Sequence, residues 1–197
     1  MTWRWCCASS IRSWRWWGNV AIATSIQALS DTDRRLVAEW AATCAERVLW
    51  VFEAERPDDD RPRAAIARTR AYARGELDTA SEILRRFGGG SAARDVSPAA
   101  AAAARSAGQA SAVCHMGAHA LGAAAYAVKS ISLASPGQPG LADEEIIWQI
   151  QQTTADMRIV LRTLPAVGED RSGPLGPGLL ASGQLKQIIR KLQAGLV

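Results

Sequence analysis

Nowhere does the sequence alternate Val, Ile and aromatic residues with polar ones as a half-buried strand does. That absence removes the β-rich classes. There is no phosphate-cradling Gly-rich loop followed by Lys, and no Gly-x-Ser-x-Gly turn to present a nucleophile. The four cysteines are Cys6, Cys7, Cys44 and Cys114, and no pair has the Cys-x-x-Cys spacing of a zinc or redox motif. Cys44 and Cys114 fall on apolar helical faces, where a free thiol behaves as a small hydrophobe. No disulfide and a reducing cytosol are expected. No internal repeat is present. A basic face is missing as well. The formal charge is +4, but residues 1–19 hold Arg4, Arg12 and Arg15 and no acid, which leaves 20 basic and 19 acidic residues in the remainder. A nearly neutral body argues against a binder that tracks nucleic-acid phosphates.

What is present is Ala, about one residue in five, most of it between Ala64 and Ala134. Ala loses no side-chain freedom in a helix and is its best former. The length, the 48% hydrophobic content and the 21% charged content suit one domain with a sizeable core. The fold class expected is all-α: a single-domain bundle of five to six helices around a long Ala-rich central helix.

Residues 1–19 hold five of the eight Trp and two of the four Cys. On a helix, Trp3, Cys7, Trp14 and Trp17 share a side, which makes a crude interfacial anchor. The stretch has no continuous apolar segment and no small-residue cleavage site, so it is not a signal peptide. It is too short and too charged to span a bilayer. Trp, Arg, Cys, Gly and Ser are also what GC-rich non-coding DNA spells, and Val20 is an alternative start. Residues 1–29 are therefore expected to be a disordered or mis-assigned extension, with a helical domain over 30–164, a Gly/Pro linker over 165–178 and an amphipathic helix over 179–197.

The first firm helix opens at Ser30, a cap, with Asp33 where the acid of a capping box belongs. Leu36, Trp40, Cys44, Val48 and Phe52 recur every four residues and give one apolar stripe that ends before Pro57. A second helix is expected from about Asp60, with Asp58, Asp59 or Asp60 as its cap, Pro62 in its first turn and Gly75 at its end. A short third helix, "TASEILRRF", runs up to a flexible break at "GGG", 88–90. Ser97 then caps, and Pro98 opens, what reads as one helix over 97–134, charged only at Arg105 and Lys129. Small residues all round place it at the centre of a bundle. Its polar Ser, Gln, His and Arg residues argue against a membrane span. Asp143 is expected to cap the next helix, whose apolar face is Ile147, Ile150, Thr154, Met157, Leu161 and Leu164. Leu185, Ile188, Ile189 and Leu192 line the last helix.

Two constellations are candidates for function. The stretch "ERPDDDRPR" packs Glu55, Arg56, Asp58, Asp59, Asp60, Arg61 and Arg63 around two Pro residues. These side chains can pair with one another across a helix corner. The same stiffened loop can instead present charge to a partner at low entropy cost. The second constellation is His115 and His119, the only histidines, four apart and so on one helical face. "HMGAH" resembles the zinc-protease helix, but Met116 stands where the general-base Glu would be, and no third ligand adjoins. The two are expected to be structural, hydrogen-bonded histidines. A pocket of His115, His119 and Tyr126 between Ala-rich helices, for a small molecule or metal, is the alternative. No catalytic residue, cofactor or metal is assigned. Cys114 precedes His115, but neighbours on a helix point about 100° apart.

The blocks "WAATCAERVL", "FEAERPDDDRPRAAIARTRAYARGE" and "ARSAGQASAVCHMGAHALGAAAYAVKS" resemble successive blocks of the immunity-five-like proteins. These are small all-helical bacterial proteins attributed to polymorphic toxin systems. The resemblance runs from about residue 31 to about residue 164 and is most specific at "RPDDDRPR" and "HALGAAAYA". It implies an antidote that sits in the producer's cytosol and blocks a cognate toxin by binding it. Beside the resemblance, the missing catalytic motifs, the nearly neutral body and the polar residues of the long helix lead to the expectation of no enzyme, no nucleic-acid partner and no membrane partner. Residues 1–19 have no counterpart, "TASEILRRFGGGSAARDVSP" is shorter and less Ala-rich than the family's helix there, and the tail after Pro165 is individual. Relatives labelled exonuclease subunits find no support in this chain, which has neither a Walker motif nor heptads. A regulatory or structural homo-oligomer without ligand stays open beside the toxin-binding and pocket readings.

Overall fold

The computed structural model describes residues 25–86, 89–138 and 140–196. The anchor, non-coding and alternative-start readings of residues 1–19 lie outside them. Nine α-helices and two short 3-10 turns, with no strand, make up the regular structure among the described residues. The helices are α1 (Asp31–Arg47), α2 (Leu49–Glu53), α3 (Arg61–Ala73), α4 (Thr79–Arg85), α5 (Pro98–Ala112), α6 (His119–Ala134), α7 (Gly140–Gln151), α8 (Ala155–Arg162) and α9 (Gly183–Gly195). The all-α bundle expected from the sequence is what forms. Three of the six expected helices are each broken in two.

Ser30 caps α1 as expected, its Oγ accepting the Asp33 N–H at 3.1 Å. Trp40, Cys44, Val48 and Phe52 are buried along one stripe, and Leu36 is partly buried against it. The helix loosens at Val48 (φ −111°) and resumes as α2 without losing the stripe. The Trp40 indole N–H donates to the Gln149 carbonyl at 2.8 Å and so ties α1 to α7. α3 ends at Gly75 (φ 79°), where the N–H of Glu76 reaches the carbonyl of Ala71 and that of Gly75 the carbonyl of Tyr72. That is the Schellman closure, which a left-handed Gly makes without strain.

The stretch read as one central helix is a hairpin. Ser97 caps α5 through the Ala100 N–H, and α5 runs only to Ala112. α6 returns beside it. Ser106 Oγ donates to the Ala123 carbonyl and Ser130 Oγ to the Ala99 carbonyl, a pairing that requires the two helices to run antiparallel. The corner, 113–118, forms because another segment takes its donors. The N–H groups of Gly117 and Ala118 reach the carbonyls of Ala28 and Gln27 in the 3-10 turn Ile26–Ala28. A Cβ at Gly117 would lie 2.3 Å from Leu29 Cδ1, so only Gly permits this approach. Residues 120–128 of α6 are all buried. The centre of the molecule is therefore the expected stretch in two antiparallel halves, with α1, α3, α7 and α9 around it.

The helix expected over 143–164 also divides. Asp143 lies in the first turn of α7 rather than capping it, and pairs with Lys191 of α9 at 2.5 Å. Thr154 leaves the apolar face to cap α8, its Oγ1 accepting the Met157 N–H at 3.2 Å. The break shifts the helical phase. Ile146 is buried where Ile147 was expected, and Ile147 is 57% exposed. Of the break expected at 88–90, Gly89 and Gly90 open a 3-10 turn, Gly89–Ala93, and Gly88 lies outside the described residues.

Residues 165–178 contain no helix, and Val167 and Leu175 in them are buried in the core. The Gln27 side chain, fully buried, holds this segment. Its Nε2 donates to Asp170 Oδ2 and to the Ser172 carbonyl, and its Oε1 accepts the Leu175 N–H at 2.9 Å. Residues 25–29, placed by sequence in the extension, are thus packed between the hairpin corner and the C-terminal segment. α9 buries Leu185, Ile188, Ile189 and Leu192 against α6 and α7. No helix among the described residues is long and apolar enough to cross a membrane.

Candidate functional site

The charged corner, 55–63, joins α2 to α3. Most of its charges are tied down. The Glu55 carboxylate accepts the Ser97 N–H at 2.8 and 3.1 Å, and so anchors the start of α5. An Arg56 Nη donates to the Asp95 carbonyl. Asp59 accepts the Arg61 backbone N–H at 3.2 Å and the Arg61 Nε at 2.8 Å. The hydrogen bond from Arg61 holds the Asp59 carboxyl below the usual carboxylate range. Arg61 also reaches Ser91 Oγ at 3.1 Å, and Arg63 pairs with Glu53 at 2.6 Å. The cap expected among three aspartates is divided between two of them. Asp60 occupies the capping position without a side-chain bond, while Asp59 satisfies the first helical N–H. Pro62 is buried in the first turn of α3.

Asp58 and Asp60 are exposed and make no side-chain hydrogen bond or ion pair among the described residues. The same holds for Arg94, across a groove of about 640 Å³ between the corner and residues 91–95. The sequence named the corner and missed its opposite wall. "SAARD" carries no signal of its own until the fold sets it beside "RPDDD".

The second constellation lies at the hairpin corner. His115, His119 and Tyr126 stand on the wall of one cavity of about 550 Å³. The helical face expected to join the histidines does not exist, because His115 lies in the turn and His119 opens α6. The turn brings them together by another route. His119 Nδ1 lies 2.8 Å from Gln109 Oε1, so Nδ1–H donates there, and in the neutral ring Nε2 is the acceptor. Burial pushes its pKa down to about 4, with the neighbouring charges of His115 and Arg86 adding to it. Tyr126 is buried, which raises its pKa, with Arg105 opposing. Arg86 and Arg105 complete the polar lining, and Gly173, Pro174 and Leu179 of the C-terminal segment supply the far wall. Arg105 was visible in the sequence as one of two charges in an otherwise uncharged stretch. The far wall was not visible, since it is 50 residues away in the chain.

No group of three or more His, Cys, Asp or Glu side chains among the described residues could hold a metal ion. Cys114 is buried beside this corner, and burial holds its thiol up at about 11, with the Glu82 charge adding to it. It donates to the Ser111 carbonyl at 3.2 Å and is no nucleophile at neutral pH.

No curated protein and no solved structure matches the chain. A family model does, that of the Imm-5 like putative immunity protein, over residues 27–156. The match takes in Gln27, the whole charged corner, the hairpin and its two histidines, and it stops before the far wall of the cavity. It covers most of the chain, and so the chain belongs to the Imm-5 like putative immunity protein family.

Proposed function

We propose that the chain neutralises a cognate bacterial toxin by binding it, in the cytosol of the cell that makes both, and that the 55–63 corner with the groove beside it is the contact face. Family membership supports an immunity role. The observation that carries the choice of face is the division of labour within the corner. Glu55, Arg56, Asp59, Arg61 and Arg63 are spent on holding the loop to α5, α2 and residues 91–95. Asp58, Asp60 and Arg94 are exposed on that braced frame with no partner of their own among the described residues. A charge held on a rigid loop loses little entropy when a partner pairs with it. In a nearly neutral body it also dominates electrostatic specificity.

The two groups of residues separate by experiment. Glu55→Ala should lower stability by about 1 kcal/mol through loss of the contact at the start of α5, read by thermal melting. The triple variant Asp58→Lys/Asp60→Asn/Arg94→Glu, which keeps a favoured cap residue at the start of α3, should melt like the parent. In a bacterial host expressing a toxin that co-purifies with the chain from its native cell, the parent should restore growth and the triple variant should not. Equal rescue by both would remove the corner from the contact face. No rescue by the parent would remove the toxin reading itself.

A further inference from the structure

The cavity at the hairpin corner has no part in the contact face proposed above. Its volume of about 550 Å³ lies in the range of small-ligand sites. Its lining includes Arg105 and Arg86 and no carboxylate. Arg105 is exposed and forms no ion pair among the described residues. Tyr126 is only 3% exposed, yet its hydroxyl bonds to no described group. That hydroxyl is accessible from the cavity and is therefore free to bond a ligand atom. His119 spends its Nδ1–H on Gln109, so Nε2 is left as an acceptor. Ala112, Met116, Pro174 and Leu179 supply apolar wall. Two histidines without a carboxylate or thiolate beside them make a poor metal site.

We infer that this cavity binds a small organic anion, a carboxylate on an apolar body, with Arg105 and the Tyr126 hydroxyl donating to the carboxylate and His119 Nε2 accepting from a donor elsewhere on the ligand. Guanidinium is the group best shaped for a carboxylate, and charge-assisted bonds are about twice as strong as neutral ones. Apolar wall on the remaining sides selects a flat or aliphatic body over a bare inorganic ion. Gly173, Pro174 and Leu179 of the far wall lie outside the family-matched segment, and the rest of the lining lies within it.

The chain's two histidines both line the cavity, so a histidine-ring carbon–proton spectrum of the full chain reads this site alone. The probe is 4-hydroxybenzoate, which has the carboxylate, the flat body and a hydroxyl for His119 Nε2. Neutral 4-hydroxybenzamide and cationic 4-hydroxybenzamidine are its size-matched controls. The expected result is a saturable shift of both ring signals with the carboxylate, binding at least about tenfold weaker for the amide, and none for the amidine. Arg105→Ala, at an exposed position, should cost about tenfold in affinity, and Tyr126→Phe should cost several-fold while preserving the helical circular dichroism. Equal affinity for all three probes, no saturation up to about 10 mM, or unchanged affinity in both variants would overturn the assignment.

Discussion

Gln27→Ala should lower the unfolding free energy by about 3 kcal/mol, one of the larger effects available outside the apolar core. The Gln27 amide is fully buried and makes three hydrogen bonds, to Asp170, to the Ser172 carbonyl and from the Leu175 N–H. Truncation strands the buried Leu175 N–H, whereas Asp170 and the exposed Ser172 carbonyl turn to water. A buried N–H left without a partner costs about 1–3 kcal/mol, and removing a fully buried side chain adds the cost of the cavity. Gly173 adds a geometric constraint. Its φ is +77°, and a Cβ there would lie 2.7 Å from Gln27 Oε1, so the loop is shaped around this one amide. Urea denaturation checks the expectation through the midpoint at unchanged slope. A loss below about 1 kcal/mol would mean that Val167 and Leu175 alone hold the segment.

The second large effect is a pH dependence set by His119. Its pKa in the folded chain is about 4, against 6.5 for the free side chain, because burial penalises the imidazolium. Between these values the unfolded chain binds a proton that the folded chain refuses. The stability His119 contributes is therefore complete above pH 6.5 and is lost progressively as pH falls towards 4. The span corresponds to on the order of 3 kcal/mol. Asp31 is also held well below the usual carboxylate range, through its hydrogen bonds to Thr79 and Arg35, but its loss begins only below its ordinary value of 3.8. The two windows separate. His119→Gln should flatten the stability profile between pH 4 and 6.5, while His115→Gln, at an exposed site, should leave it sloped. A slope that survives in His119→Gln would assign the window to other groups.

The sequence made the local signals readable and left the long-range ones hidden. Ser30, Ser97 with Pro98, and Gly75 act within four residues of themselves, and each does in the structure what its chemistry suggests. The break between α5 and α6 was not readable. Its cause is a pair of carbonyls, Ala28 and Gln27, about 90 residues upstream, which take the N–H groups that a continuous helix would have used. The phase of α7 was misread because Thr154 counts as half-apolar in a helical stripe, while its hydroxyl can equally start a new helix. The two candidate sites follow the same division. The corner's charges were plain in the sequence, but the contact between Glu55 and Ser97 joins residues 42 apart. The histidine pair was plain too, for a reason that did not hold. The i, i+4 spacing suggested a shared face, and a turn at Gly117 assembled the wall instead.

Calorimetric titration of the purified chain with the toxin proposed as its partner, once isolated by co-purification from the cell that makes it, tests the central claim most directly. The account predicts a one-to-one complex with the parent chain. It predicts a loss of about 3 kcal/mol, more than a hundredfold in affinity, for Asp58→Lys/Asp60→Asn/Arg94→Glu at unchanged melting temperature. No complex with the parent, or the same affinity in the triple variant, would contradict it.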